Sequence, residues 1–280
     1  MRTIVHLSDL HTGRVDPAIL APLTAAIAGA QPHLVVFSGD LTQRATSTQF
    51  REARAFLDGL TARYLVIPGN HDVPLWNVAR RFVTPLGRYK RFITSELDPM
   101  FQDDEIVVVG LNTARSFTWG EGRISRAQVT AALRRLRAAP AGVIRIVVTH
   151  HPFDLPPGVH ERRLLGRARM AMAEFASVGA ELFLSGHLHL SHVSHSAERY
   201  RIAGHSALIV QAGTVSKRGR GEEPSFNVLR LDGPRLLLSR FVWSGGDRRF
   251  VAVAVGEYVK EADGWRPRET GELANRRTGE

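Results

Sequence analysis

The chain has 280 residues, 44% of them apolar and 23% charged, the composition of a folded, water-soluble protein with material for one large core or two small ones. It contains no cysteine, which excludes disulfides and thiolate metal ligands and leaves His, Asn, Asp and Glu to hold any metal. A formal net charge of +10, mostly from arginine, favours anionic partners such as phosphates or nucleic acid, although a solvated basic surface has the same composition.

No apolar run is long enough to span a bilayer. The N-terminus enters a strand at once, Thr3-Ile4-Val5-His6-Leu7, with no signal-like apolar region before it, so a cytoplasmic location is expected. That strand ends in Ser8-Asp9-Leu10-His11. Asp16-Pro17 reads as an N-cap followed by proline in the first helical position, and Ile19, Leu20, Leu23 and Ile27 form an apolar stripe. A second strand, residues 33–37, ends in Ser38-Gly39-Asp40. A helix over about 46–59 presents Phe50, Ala53 and Leu57 on one face, and the run Tyr64-Leu65-Val66-Ile67 leads to Pro68-Gly69-Asn70-His71-Asp72. This βαβαβ order predicts a parallel sheet with right-handed crossovers.

Residues 73–104 interrupt the rhythm and read as an insert carrying two short helices. Between Pro74 and Ser95 it holds Arg80, Arg81, Arg88, Lys90 and Arg91, no acidic residue, and the aromatics Trp76, Phe82, Tyr89 and Phe92. The insert leaves directly from the Asn70-His71-Asp72 edge, so Arg88 and Arg91 are candidate substrate-binding residues; anchoring of two small helices by their aromatics is the competing reading. A strand at 105–109 follows. Ser125 and Gln128 then form a capping box, a strand at 143–148 ends in Thr149-His150-His151-Pro152, and a helix near 161–178 leads to strand 181–184 and Ser185-Gly186-His187-Leu188-His189. Beyond about residue 191 come short segments, 199–203, 207–211, 225–231, 235–243 and 248–255, expected as antiparallel strands completing a second sheet. The small-residue turn Gln211-Ala212-Gly213-Thr214, followed by Lys217, Arg218 and Arg220, suits either a substrate mouth or an exposed hairpin loop. Residues 1–260 are expected to form one domain, and 261–280 a frayed polar tail.

Five strand ends therefore carry Asp9 and His11, Asp40, Asn70 and His71, His150 or His151, and His187 and His189. In a parallel sheet such ends converge on one edge. The set offers more oxygen and imidazole donors than one ion takes, and two ions sharing a carboxylate suit in-line displacement at phosphorus. Taken singly, Asp9 reads as a cap and Asn70 as a turn residue; only the set carries the inference.

The five blocks, Asp9-x-His11, Gly39-Asp40, Gly69-Asn70-His71-Asp72, His150 and Gly186-His187-x-His189, resemble those of the calcineurin-like metallophosphoesterase superfamily, in order and without a departure at a ligand position. His150-His151-Pro152 and the chain's size are most similar to class III cyclic-nucleotide phosphodiesterases. The resemblance implies an α/β fold, a four-layer α/β/β/α sandwich of two mixed sheets flanked by helices. It also implies two divalent or trivalent ions (Mn, Fe, Zn or Co). Asp9, His11 and His189 would hold one, Asn70, His150 and His187 the other, and Asp40 would bridge them. His71 would be a catalytic residue rather than a ligand, and the nucleophile a hydroxide on the metals. The resemblance selects His150 over His151, which the residues alone leave equivalent. The implied activity is hydrolysis of a nucleotide-like or other small phosphodiester, with a small anionic phosphoester as partner. The alternatives are a metal-dependent nuclease, disfavoured because no extra DNA-binding segment is evident, and hydrolysis of a lipid-linked or nucleotide-sugar pyrophosphate. A non-catalytic scaffold is disfavoured by the intact ligand set.

Overall fold

Alternating apolar residues send the strands' side chains to two different cores, and that alternation builds the layers. The structure, a computed structural model, describes residues 1–118 and 120–268. The first half begins with β1 (Arg2–Leu7), α1 (Pro17–Gly29), β2 (Leu34–Phe37), α2 (Ser47–Asp58) and β3 (Tyr64–Val66). β1 pairs with β2, and β2 with β3, in parallel, as the βαβαβ pattern predicts. Asp16 caps α1 by accepting the Ala18 N–H at 3.0 Å. The insert forms α3 (Val78–Val83) and α4 (Gly87–Phe92). It is followed by β4 (Met100–Gln102), β5 (Ile106–Leu111), α5 (Arg126–Ala138), β6 (Ile144–Thr149), α6 (Ala168–Ala176) and β7 (Ala180–Ser185). Ser125 and Gln128 make the expected capping box on α5. The chain continues through β8 (His192–His195), α7 (Ser196–Tyr200), β9 (Leu208–Gln211), β10 (Ser225–Asp232), β11 (Arg235–Ser244), β12 (Arg249–Glu261) and β13 (Gly264–Pro267).

Among the described residues, one sheet has seven strands in the order β13-β12-β11-β10-β1-β2-β3, and the other six in the order β4-β5-β6-β7-β9-β8. Ile4, Leu34 and Val36 face inward against Val108, Ile146, Val148 and Leu184 of the second sheet. Their neighbours Val5, Val35 and Phe37 face outward onto Leu23, Ile27 and Phe50 of α1 and α2. On the far side Val107, Val109 and Val147 pack under Val129 and Leu133 of α5 and Phe175 of α6. The period-2 alternation thus feeds a central core and two outer cores, which makes the α/β/β/α sandwich.

Four expectations differ from what is observed. The C-terminal strands do not all complete the second sheet: β10 pairs antiparallel with β1, bringing Leu229 opposite Ile4, so the β10–β13 meander extends the first sheet. The helix expected over 161–178 is split, a 3-10 turn at Glu161–Arg163 and α6 from Ala168, because Gly166 bridges to Arg123 and Arg167 takes φ 70°. The expected strand 199–203 is instead the end of α7 and its left-handed stop at Arg201, φ 50°. The tail does not begin at 261: β13 pairs with β12, and Trp265 is fully buried in the core between the sheets. Burial of so large an apolar side chain favours keeping this short strand on the sheet. Residues 269–280 of the expected tail lie outside the described residues.

Candidate metal centre

Three of the five strand-end motifs break ordinary backbone rules. Asp9, His11, Asp40, His187 and His189 all have positive φ, between 46° and 73°, and they are five of the ten described non-glycine residues that do. Such conformations cost about 1–3 kcal/mol each and persist where the surroundings over-determine them. Here the cause is crossing backbone: Asp9 N–H donates to the Gly39 carbonyl at 3.1 Å and His11 N–H to the Asp40 carbonyl at 3.0 Å. Two glycines admit the close approach. A Cβ on Gly69 would lie 2.1 Å from Asp40 Oδ1, and one on Gly186 1.8 Å from Ser8 Oγ.

The result is a buried cluster. Asp9 Oδ1 lies 2.9 Å from His189 Nε2 and 3.4 Å from His11 Nε2. Asn70 Oδ1 lies 3.0 Å from both His150 Nε2 and His187 Nδ1. Asp40 Oδ2 stands between the two groups, 3.7 Å from His11 Nε2 and 3.4 Å from His150 Nε2. All seven residues that the sequence nominated as ligands thus come together.

The donor set fits a metal. His11, His150 and His189 each donate Nδ1–H to a backbone carbonyl, of Thr42 (3.3 Å), Ser38 (2.8 Å) and Arg218 (2.9 Å). That fixes the tautomer and turns each Nε2 lone pair inward. The Nε2 atoms of His11 and His189 face each other at 3.1 Å, an opposition of acceptors that a proton or a cation must relieve. Asp9 Oδ1 and His187 Nε2 are buried without a hydrogen-bond partner. Among the described residues, Asp9, His11, Asp40 and His189 form one group with ligand-like spacing, and His150, His151 and His187 another.

Electrostatics agree. Burial alone would raise both carboxyls, but His189 and His11 hold Asp9, and His150 and His71 hold Asp40, well below the usual carboxylate range. Burial lowers His187 to about 3, with His150 adding, so it stays neutral. Burial also opposes a proton on His150, but the Asp40 charge outweighs it and raises the group to about 9. A cation between Asp40 and His150 would take that proton's place, so metal uptake should release protons.

His151 differs from His150. Its Nδ1 is 2.8 Å from Thr113 Oγ1, and its Nε2 is buried without a partner. His150, not His151, faces Asp40 and Asn70. Away from the cluster, His6 Nε2 lies 2.9 Å from Ser38 Oγ, His33 Nδ1 accepts the Thr3 N–H at 3.1 Å, and His192 Nε2 lies 3.8 Å from Asp154 Oδ2.

The sequence profile of the calcineurin-like phosphoesterases matches residues 2–191, a span that contains the whole cluster. The chain belongs to the calcineurin-like phosphoesterase family. A protein named "Probable glycerophosphodiester phosphodiesterase GpdQ" from Arcobacter nitrofigilis is 25% identical over 169 residues, which is 57% of this chain and 57% of that relative's length. A crystal structure of a dimetal phosphatase from Danio rerio superposes with a TM-score of 0.65 at 12% identity, covering 90% of this chain and 98% of that one. A purple acid phosphatase from yellow lupin (Lupinus luteus) seeds gives 0.64 at 12% identity over 90% of this chain and 53% of that one. At these identities the two structures establish a shared fold.

In this calcineurin-like phosphoesterase the cluster opens into a cavity of about 230 Å³ lined by Asp40, Asn70, His71, His187 and His189, and by Arg81, Arg163, Arg218 and Arg220. His71 donates Nδ1–H to the Gln43 carbonyl at 3.0 Å, and its Nε2 is 3.1 Å from Arg218 Nη1. A larger hollow of about 420 Å³ beside α6 and β12 contains none of the cluster; in it Lys260 pairs with Glu181 at 2.7 Å, and Glu261 and Asp263 add negative charge. Arg88 and Arg91, the nominated substrate residues, do not line this catalytic cavity. Arg88 Nη1 donates to the Ala45 carbonyl at 2.7 Å, and Arg91 lies over the Phe92 ring at 5.4 Å. Helix α4 packs on α2, which turns both arginines away from the mouth. Arg218 and Arg220, which follow the 211–214 turn, take that place. Arg163 carried no signal in the sequence, since its position depends on the break at Gly166.

Asp72 holds the motif loops together. Its carboxylate accepts N–H groups of Leu41 (3.2 Å), Thr42 (2.9 Å) and Gly69 (2.9 Å), and the Thr42 hydroxyl (2.9 Å). Burial, with the Asp40 charge adding, pushes its carboxyl up to about 7 against these donors. Asp72→Ala leaves buried N–H groups unpaired and is expected to cost about 2–4 kcal/mol of stability. Urea unfolding of the metal-free protein checks this; an unchanged midpoint would mean that water replaces the carboxylate.

Proposed function

We propose that the chain hydrolyses a small phosphodiester with two metal ions, Asp9, His11 and His189 holding one, Asn70, His150 and His187 the other, and Asp40 shared by both. The observation that carries this reading is the position of Asp40 Oδ2 between His11 Nε2 and His150 Nε2, at 3.7 and 3.4 Å. When bound, a pair of such ions activates water at neutral pH and offsets charge on the phosphoryl oxygens. The chain's own residues supply the rest. His71 presents Nε2 to the cavity; with Nδ1–H held by Gln43, this nitrogen must first take up a proton, and the imidazolium can then stabilise charge on the phosphoryl group or pass that proton to the departing oxygen. Its Nδ1–H bond to Gln43 fixes the ring for that task. Arg218 brings a guanidinium to the same point, and Arg163 and Arg220 add positive charge at the mouth, where an anion approaches.

A diester rather than a monoester is supported by the relative's printed name, which is that of a phosphodiesterase. The test is hydrolysis of bis(p-nitrophenyl) phosphate against p-nitrophenyl phosphate by the Mn²⁺-loaded protein. A panel of cyclic nucleotides, glycerophosphodiesters and nucleotide-sugar pyrophosphates then narrows the substrate. Faster turnover of the monoester would overturn the diester reading.

Arg218→Ala is expected to raise KM about tenfold for any anionic diester, with a smaller fall in kcat. Its backbone carbonyl, which orients His189, remains in the variant, so metal content should hold. An unchanged KM would remove Arg218 from substrate binding.

A further inference from the structure

Helix α3 is built inside out. Within Val78–Val83 only Arg81 is buried, whereas Val78 is 59%, Phe82 46% and Val83 79% exposed. Trp76, just before it, is 77% exposed, and Phe117, whose ring lies 5.2 Å from that of Phe82, is 86% exposed. A surface helix ordinarily docks through its apolar side chains. Here the docking is done by the Arg81 guanidinium, which donates to the carbonyls of Ser116 (2.7 Å), Thr118 (2.7 Å) and Pro74 (3.1 Å). Among the described residues nothing buries these apolar side chains, which leaves them available to a partner.

Charge and shape indicate what that is. Arg44 lies over the Trp76 ring at 5.6 Å, Arg80 and Lys90 are exposed, and no acidic residue occurs from Pro74 to Ser95. A second copy meeting this face about a two-fold axis would bring like charges together. Aromatic and aliphatic tips among arginines and lysine match the boundary between anionic headgroups and acyl chains. Beside Val83 lies a groove of about 410 Å³ whose lining includes Val73, Val83, Pro85, Leu86, Leu97 and Ala114. Val73 also lines the catalytic cavity, so an acyl-compatible groove and the phosphoester site are neighbours.

We propose that the α3 face docks on an anionic phospholipid membrane, with Trp76, Val83 and Phe117 entering the headgroup–acyl boundary and Arg80 and Lys90 meeting lipid phosphates. Docking on lipid stands apart from the phosphoesterase reading and is measured without turnover. The experiment is co-sedimentation of the full chain with phosphatidylglycerol/phosphatidylcholine vesicles and with phosphatidylcholine alone, in low and high salt. The wild type is expected to bind the anionic vesicles, and Trp76→Ser/Val83→Ser/Phe117→Ser to lower the partition coefficient by about tenfold or more. Because these side chains are already exposed, the triple variant should keep its thermal midpoint. Arg80→Glu/Lys90→Glu should weaken binding to anionic vesicles, mostly at low salt. Wild type and triple variant binding equally would reduce the effect to the chain's overall positive charge and overturn the proposal. So would absence of binding to anionic vesicles, or a concentration-dependent dimer in sedimentation velocity that the triple variant abolishes.

Discussion

Asp40→Ala should lose at least about 10³-fold in kcat, and the purified variant should retain well under one metal ion per chain. The carboxylate has two oxygens with two tasks. Oδ2 stands between the groups around His11 and His150, and Oδ1 accepts the His71 N–H at 2.8 Å. Removing it leaves imidazoles without the negative charge that makes a cation welcome there. A loss of three powers of ten corresponds to about 4 kcal/mol, within the several kcal/mol that metal-assisted charge stabilisation supplies. Asp40→Asn separates the two tasks: it retains an oxygen for the His71 N–H but removes the charge. It should unfold like the wild-type apoprotein and still bind metal poorly. Elemental analysis after dialysis, together with kcat, decides the matter. An Asp40→Ala protein holding two ions would end the shared-carboxylate assignment.

His71→Ala should do the opposite to metal and nearly the same to rate: full metal content, with kcat lower by about 10²–10⁴. His71 lies beside the cluster, its ring 4.9 Å from that of His11 and edge-on to it. Its Nδ1 is committed to Gln43, and its Nε2 faces Arg218 in the cavity. Burial lowers its proton affinity even beside Asp40. A ring so placed can act on the phosphoryl group without touching an ion. Parallel loss of metal and activity would instead make His71 a ligand. Because His71 and Arg218 face each other, the double variant His71→Ala/Arg218→Ala should lose less than the product of the two single losses.

Much of this was legible in the residues themselves. Alternation in β1, β2 and β3 and the apolar stripes of α1 and α2 specify βαβ units through local sterics and burial, and parallel pairing then puts their motif-bearing ends on one edge. The glycines at 39, 69 and 186 stand where the backbone must pass close to another chain segment. The capping box at Ser125 and the cap at Asp16 are local hydrogen bonds, readable from three or four residues. Five short blocks likewise nominated the candidate ligands, while the seven-residue set, with His150 rather than His151, was what the family resemblance implied.

What the chain could not reveal locally depends on pairing and packing between distant segments. Short apolar strands after residue 191 suit either sheet, and only the register of β10 on β1, with Leu229 opposite Ile4, sends them to the first. His150 and His151 are neighbours of equal chemistry; the tertiary structure separates them by offering Asp40 and Asn70 to one and Thr113 to the other. The insert's basic residues look alike in sequence, yet Arg81 is buried by three carbonyls, Arg88 is tied to Ala45, and the cavity is lined instead by Arg163, Arg218 and Arg220 from later segments. A motif's chemistry travels with its residues, because a histidine or carboxylate keeps its donors wherever it lies. The direction of a long, flexible arginine is set by whichever distant carbonyls and charges the fold brings within its reach.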